Sequence, residues 1–181
     1  MRTKVKTMCY IALAAAILCA VSPWSMPVGG VPLTLSLLAV LLVSELLPLR
    51  VSLCATLVYV ALGAVGIPVF AGFVGGFHVI IGPTGGFIFS YPLVALVVSK
   101  FGGSFGKNCV YGFVSAILCY FVGSLWLSFT TKAEFLPTLC AVTASCAVFD
   151  IIKAVLSAVL AEAIKPKLQK SLLPQNGGQR K

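Results

Sequence analysis

The chain has 181 residues, of which 60% are hydrophobic and only 9% are charged. A soluble domain typically carries about a quarter charged residues, so this composition excludes an ordinary soluble globule, and it is far too apolar for a disordered chain. Because the apolar runs are continuous and do not alternate residue by residue, they also exclude a transmembrane barrel. The class that remains is an integral membrane protein made of helices.

The apolar segments predict how often the chain crosses the membrane. One span needs roughly 20 apolar residues, and we predict an all-α fold with six transmembrane helices in a single domain over residues 1–165. The basic end of the chain, 166–181, is expected to be a disordered cytoplasmic tail. The first segment also resembles a signal peptide, although Pro23–Pro27 is a poor cleavage site. The predicted spans lie, within a few residues, at 7–25, 33–48, 51–67, 86–100, 108–129 and 138–164.

The distribution of basic residues predicts the orientation. The net charge is +9. If the amino terminus is cytoplasmic, every Lys and Arg except Lys132 and Lys153 lies in an inner connection or at a terminus. This asymmetry follows the positive-inside rule, so we predict that both termini are cytoplasmic. The basic residues do not form a strip with interleaved aromatics, and we therefore expect no nucleic-acid partner.

Two connections on the predicted outer side have an unusual composition. Residues 23–32 include Trp24 and the pair Gly29-Gly30, and residues 66–86 combine many glycines with Phe70 and Phe73. A flexible aqueous linker would be richer in serine and charge. Non-helical backbone near the membrane is tolerated where it is buried in protein or lines a cavity. We therefore predict an outer pocket closed by loops, the alternative being an interfacial loop with aromatic anchors.

The last span contains two charges, Asp150 and Lys153, well inside an apolar segment. Ionisable residues at such depth are costly unless they are paired or hydrated, so they are functional candidates. Their i, i+3 spacing places them within reach of each other on one helix face. That face also carries small residues, whereas Val148 and Ile152 lie on the opposite, lipid-facing side. The alternative is a purely structural pair that holds helices together.

The sequence does not suggest an enzyme or a metal site. It contains no Ser–His–acid set and no paired catalytic carboxylates, so no catalytic residue is predicted. Seven cysteines lie within apolar runs without a C-x-x-C pair, with one histidine and four scattered acids in the chain; this pattern is typical of packing residues. The acids Glu45 and Glu162 lie near the cytoplasmic ends of their spans, where we expect interfacial positions.

The first span carries Ala12, Ala16 and Ala20 on one face. Small residues four apart allow another helix to approach closely. The partner helix belongs either to this chain or to another subunit, and a similar row in the fifth span shows that the motif alone does not decide between them.

Four sequence blocks in chain order resemble the BioY family, the biotin-specific substrate-binding (S) components of energy-coupling factor (ECF) transporters. The resemblance extends from about residue 8 to residue 165. The blocks are VPLTL at 31–35, GAVGIPVFAG at 63–72, GPTGGF at 82–87, and Asp150 followed by Lys153.

The resemblance implies a six-helix S-component fold in the bacterial cell (inner) membrane, with a biotin pocket on the outer side. It also implies partners, namely a transmembrane coupling subunit and two ATP-binding subunits, contacted through Ala12, Ala16 and Ala20. Because this sequence has no nucleotide-binding motif, ATP is used only by the partners, and no cofactor is expected.

The chemistry of biotin then suggests contacts. Asp150 would accept a ureido N–H, and Lys153 would donate to the ureido carbonyl or to the carboxylate. The remaining predicted contacts are aromatic cover for the apolar ring from Trp24, Phe73, Phe87 and Tyr91, and backbone amides for the carboxylate at Gly29 and Gly30 or at Gly85 and Gly86. Two alternatives stay open: an S component for another small vitamin, and a structural or channel-like membrane subunit.

Overall fold

Helices make up most of the protein. The structure is a computed structural model, and we describe residues 2–28 and 31–172. A two-stranded antiparallel sheet, β1 with β2, follows the first helix. The elements are α1 (Arg2–Val21), β1 (Ser25–Val28), β2 (Val31–Thr34), α2 (Ser36–Leu46), α3 (Leu49–Val65), α4 (Phe77–Ile81), α5 (Gly85–Phe101), α6 (Phe105–Thr131) and α7 (Phe135–Leu172).

Each of the six predicted spans corresponds to one apolar helix, so the predicted all-α architecture is confirmed. The helices α1, α6 and α7 are long and apolar enough to cross a membrane, and α2, α3 and α5 are shorter apolar helices. The structure adds the short helix α4 and the β1–β2 pair. Helix α7 continues to Leu172, so the predicted disordered tail, 166–181, begins within a helix; 173–181 lie outside the described residues.

Two residues set the ends of α3. Pro48 occupies the position before the helix with extended backbone, φ −60° and ψ 151°, where a residue without an amide hydrogen is tolerated. At the other end Gly66 adopts a left-handed conformation, with φ +113°, and its amide donates to the carbonyls of Gly63 and Leu62. Glycine is favoured there because it lacks the Cβ that makes this conformation costly. The chain consequently leaves α3 in a sharp turn.

Helix α2 lies at the centre of the bundle. It contacts α1, α3, α5, α6 and α7, and its Val40 and Leu41 are completely buried. Burial of such aliphatic side chains fixes the helix firmly among its neighbours. Because α2 begins directly after β2, the end of that strand is held near the centre of the protein.

The surface of α7 is divided as the sequence predicts, and α1 also has one exposed and one buried face. On α7, Val148 and Ile152 are exposed, at 66% and 58%, whereas Ala154 and Ala158 are buried. On α1, the row Ala12, Ala16 and Ala20 is exposed, and a different face, with Ala14, Ala15 and Leu18, packs into the core. The alanine row is therefore open to contact from outside this chain.

Glu45 is buried, contrary to the interfacial position expected from the sequence. The Ser157 hydroxyl of α7 lies 3.1 Å from Glu45 Oε1 and 3.0 Å from the carbonyl oxygen of Ala154, and Glu45 is 7% exposed. The central position of α2 explains the difference, since even its last turn is covered by α7. This contact joins α2 to the helix that carries Asp150 and Lys153.

Candidate ligand-binding site

A cavity lies between helices α2, α3, α5, α6 and α7 and the glycine-rich loop, residues 66–84. Its volume is about 120 Å³. Its walls are mostly apolar, with a small number of polar groups contributed by α7, α6 and the end of β2, as is typical of small-molecule sites. The lining residues are Thr34, Ser36, Leu37, Tyr59, Phe70, Ala71, Val74, Val79, Thr84, Phe87, Ile88, Tyr91, Cys119, Tyr120, Cys146, Asp150 and Lys153.

The two charged residues of α7 form an ion pair in this cavity. Lys153 Nζ lies 2.6 Å from Asp150 Oδ1, and both residues are buried, at 7% and 6% exposure. Their separation of three residues brings the side chains together along one turn of the helix. A buried charge is tolerated when it is paired and hydrogen-bonded, and here each charge neutralises the other.

Additional hydrogen bonds hold both members of the pair. The Tyr120 hydroxyl on α6 donates to Asp150 Oδ2 over 2.5 Å. Lys153 Nζ donates to the main-chain carbonyl of Thr34 over 2.8 Å. Because an ammonium group has three N–H donors, these contacts leave one N–H of Lys153 for a ligand. The arrangement offers a ligand both a carboxylate acceptor and a cationic donor.

Aromatic rings supply much of the apolar wall. The Tyr59 ring of α3 meets Phe70 of the loop edge to face, with ring centroids 5.7 Å apart, and lies 6.4 Å from Tyr91 of α5. Tyr59 also donates its hydroxyl to the carbonyl of Val69 over 3.3 Å. Packed rings of this kind present a large apolar surface to the cavity.

The glycine-rich loop is tied to the segment after α1. The amide of Gly72 donates to the carbonyl of Pro23 over 2.9 Å. Nearby, the Trp24 and Phe73 rings pack edge to face with centroids 5.8 Å apart. These contacts hold the loop in the position from which Phe70, Ala71 and Val74 line the cavity. The predicted closure of a pocket by this apolar loop agrees with that placement.

The structure brings four of the predicted ligand residues to the cavity and places two aromatic ones away from it. Asp150, Lys153, Phe87 and Tyr91 line the cavity. Trp24 and Phe73 do not, and they are 62% and 59% exposed. Phe70, from the same loop as Phe73, is buried and lines the cavity instead. The sequence showed several aromatic residues in this loop but not which of them points inward.

Of the four predicted glycines, two pack closely against neighbouring elements and two lie outside the described residues. A Cβ on Gly85 would lie 1.7 Å from the carbonyl oxygen of Ile80, and one on Gly86 would lie 2.3 Å from Trp126 Cβ. Both residues belong to the first turn of α5 and do not line the cavity. Their observed contribution is close packing of α5 against α4 and α6. Gly29 and Gly30 lie outside the described residues.

Sequence reasoning did not identify Tyr120, Tyr59 or Thr34 as site residues. Tyr120 follows Cys119, which belongs to a row of small residues on α6. The only indication of its role in the sequence is that a buried tyrosine hydroxyl usually has a hydrogen-bond partner. Thr34 contributes its main-chain carbonyl, which has no signature in a single sequence. In the described ranges, 2–28 and 31–172, no group of three or more His, Cys, Asp or Glu could hold a metal ion.

Several known proteins resemble this chain in sequence. The model of the BioY family matches residues 1–170. Biotin transporter BioY2 of Lactococcus lactis subsp. cremoris is 36% identical over 166 residues, which are 90% of this chain and 91% of the relative. Probable biotin transporter BioY of Pyrococcus horikoshii is 33% identical over 165 residues, 90% of this chain and 98% of the relative.

A solved structure shares the same architecture. It is the crystal structure of the S-component for biotin from an ECF-type ABC transporter, with a TM-score of 0.83 and 25% sequence identity. The match covers 91% of this chain and 93% of that one. The similarity thus extends over nearly all the helices that form the cavity.

Proposed function

The chain belongs to the BioY family, and from that premise we propose that it is the biotin-binding membrane subunit, or S component, of a vitamin uptake transporter. Its several apolar helices are those of a multi-pass membrane protein, and its relatives are transporters, not enzymes. The named relatives and the structural match support biotin as the ligand.

The observation that carries this proposal is the buried, hydrogen-bonded pair Asp150–Lys153 on the wall of a mostly apolar cavity. Biotin combines a polar ureido ring with an apolar thioether ring, and so matches a site with few polar groups in an aromatic pocket. The Asp150 carboxylate accepts a ureido N–H, and the free N–H of Lys153 donates to the ureido carbonyl. The rings of Tyr59, Phe87 and Tyr91 cover the apolar part of the ligand.

The orientation and the partners belong to the same proposal. The positive-inside pattern supports cytoplasmic termini, which places the glycine-rich loop on the outer side of a bacterial cell (inner) membrane. Biotin then enters from outside. The exposed alanine row of α1 supports contact with a transmembrane coupling subunit, and two ATP-binding subunits supply the energy. Contact between the biotin carboxylate and the amides of Gly29 and Gly30 stays a prediction.

Equilibrium binding of radiolabelled biotin to the purified protein in lipid nanodiscs tests the proposal. We expect saturable binding with one site per chain that unlabelled biotin displaces and that thiamine and riboflavin do not. Displacement by another vitamin in preference to biotin would reassign the protein to that ligand. A folded protein that binds none of these vitamins would contradict a substrate-binding role and favour a structural subunit.

A further inference from the structure

We propose that Tyr120 is a positioning residue for the ligand, because its hydroxyl fixes the Asp150 carboxylate in the orientation that receives a donor N–H. The inference rests on the proposed function and deepens it. It assigns a second helix, α6, to a site whose charges both lie on α7.

Two hydrogen bonds from different helices converge on the Asp150 carboxylate. Tyr120 donates to Oδ2 over 2.5 Å, and Lys153 donates to Oδ1 over 2.6 Å. The two donors come from different helices, so each carboxylate oxygen is held separately and the group cannot rotate freely. A carboxylate oxygen has about two acceptor positions, so each oxygen retains one that a ligand N–H can use.

The environment makes this hydrogen bond important. Tyr120 and Asp150 are buried, at 7% and 6% exposure, and hydrogen bonds to an ionised group are stronger than neutral ones. At this degree of burial, a carboxylate oxygen that loses its donor carries a desolvation cost. Without the tyrosine hydroxyl, the carboxylate would turn toward Lys153 and away from the ligand.

The ring of Tyr120 has a different role from its hydroxyl, because it forms part of the wall of the cavity. A second, smaller crevice lies between α6 and α7, and Tyr120 and Asp150 line both this crevice and the main cavity. The crevice is also bordered by Phe113, Ile117 and Ile151, which are 48%, 51% and 47% exposed. The ring thus forms part of the wall between the cavity and the lipid-facing surface. Tyr120→Phe keeps this wall and removes only the hydroxyl.

The first measurement observes Asp150 directly in the absence of ligand. Asp150 is the only aspartate in the sequence, so protein labelled with ¹³C at the aspartate carboxyl gives one carboxylate signal. We expect Tyr120→Phe to shift this signal and Tyr111→Phe to leave it unchanged. Tyr111 is a matched control because it lies on the same helix and stacks on Phe101. An unchanged signal in Tyr120→Phe would overturn the proposal.

The second measurement is the dissociation constant for biotin in the same variants. We expect Tyr120→Phe to bind biotin roughly tenfold more weakly, as for the loss of one hydrogen bond to a charged group, and Tyr111→Phe to bind like wild type. A shifted carboxylate signal with equal or tighter biotin binding would overturn the positioning role. Failure of the wild type to bind biotin would instead overturn the proposed function, and the ¹³C comparison would still decide whether Tyr120 holds Asp150.

Discussion

The ammonium group of Lys153 bonds to the main-chain carbonyl of Thr34, 2.8 Å away and 119 residues earlier in the chain. Thr34 is the last residue of β2, and α2 starts two residues later. Lys153 therefore connects the long helix α7 to the segment that leads into α2, the central helix. The same side chain neutralises Asp150, so the charge that we assign to ligand binding also holds two parts of the fold together.

Close packing at the start of α5 should make Gly85 intolerant of a side chain. We expect Gly85→Ala to destabilise the protein by roughly 1–3 kcal/mol, the usual cost of overpacking, because the added Cβ would collide with the carbonyl of Ile80. Thermal unfolding in detergent measures the effect. Gly106→Ala is the control, since a Cβ there meets nothing within 4 Å. Equal stability of the two variants would show that Gly85 is not a packing position.

The hydroxyl of Ser157 should stabilise the buried Glu45. We expect Ser157→Ala to lower the free energy of unfolding by about 1–3 kcal/mol because a buried acceptor loses its donor. Ser145→Ala, on the same helix, is the control. Both serine hydroxyls lie within bonding distance of a carbonyl of their own helix, Ala141 for Ser145 and Ala154 for Ser157, and Ser157 also contacts Glu45. Chemical denaturation followed by circular dichroism compares the two variants, and an equal loss in both would contradict a specific role for Ser157.

The exposed alanine row of α1 should separate biotin binding from biotin uptake. A tryptophan at Ala16 adds bulk that a close helix–helix interface cannot absorb, while the cavity lies on other elements. We expect Ala16→Trp to bind biotin when purified and to lose ATP-dependent uptake in vesicles that contain the partner subunits. Val159→Trp, on the exposed face of α7, should keep both activities. Normal uptake by Ala16→Trp would show that α1 does not dock the partner.

The predicted orientation can be tested with single cysteines in a cysteine-free variant. We expect a membrane-impermeant thiol reagent added to intact cells to label Lys132→Cys, which lies on the predicted outer side. The same reagent should leave Lys107→Cys unlabelled until the membrane is permeabilised, because that position lies in an inner connection. The reverse pattern of labelling would invert the topology and place the cavity on the cytoplasmic side.

The charged pair was predictable because an apolar span tolerates such residues only when they are paired. The i, i+3 spacing of Asp150 and Lys153 indicated their contact, and the observed ion pair agrees. Phe87 and Tyr91 were also expected at the ligand, and both line the cavity. The six apolar helices were predictable because continuous apolar runs, bounded by charges, Gly and Pro, form helices in a membrane. Their different lengths, from 11 residues in α2 to 38 in α7, were not predicted.

The remaining parts depend on three-dimensional context that one sequence does not contain. Trp24 and Phe73 lie in loops, where the direction of successive side chains does not repeat regularly as it does in a helix or strand. The sequence therefore does not indicate which side of the backbone their rings occupy. The hydrogen bond to Thr34 uses a main-chain atom and is independent of side-chain type. Glu45 lies near the end of an apolar segment, and only the central position of α2 shows that the carboxylate is covered.

The central claim is that the buried pair of α7 binds biotin, and the dissociation constants of two variants test it most directly. We predict that Asp150→Asn and Lys153→Met each remain folded and bind biotin more weakly by about 1–3 kcal/mol, as expected for the loss of a charged hydrogen bond. Lys132→Met, an exposed lysine at the end of α6, should bind like wild type. Wild-type affinity in both folded pair variants would contradict the account and reduce the Asp150–Lys153 pair to a link between helices.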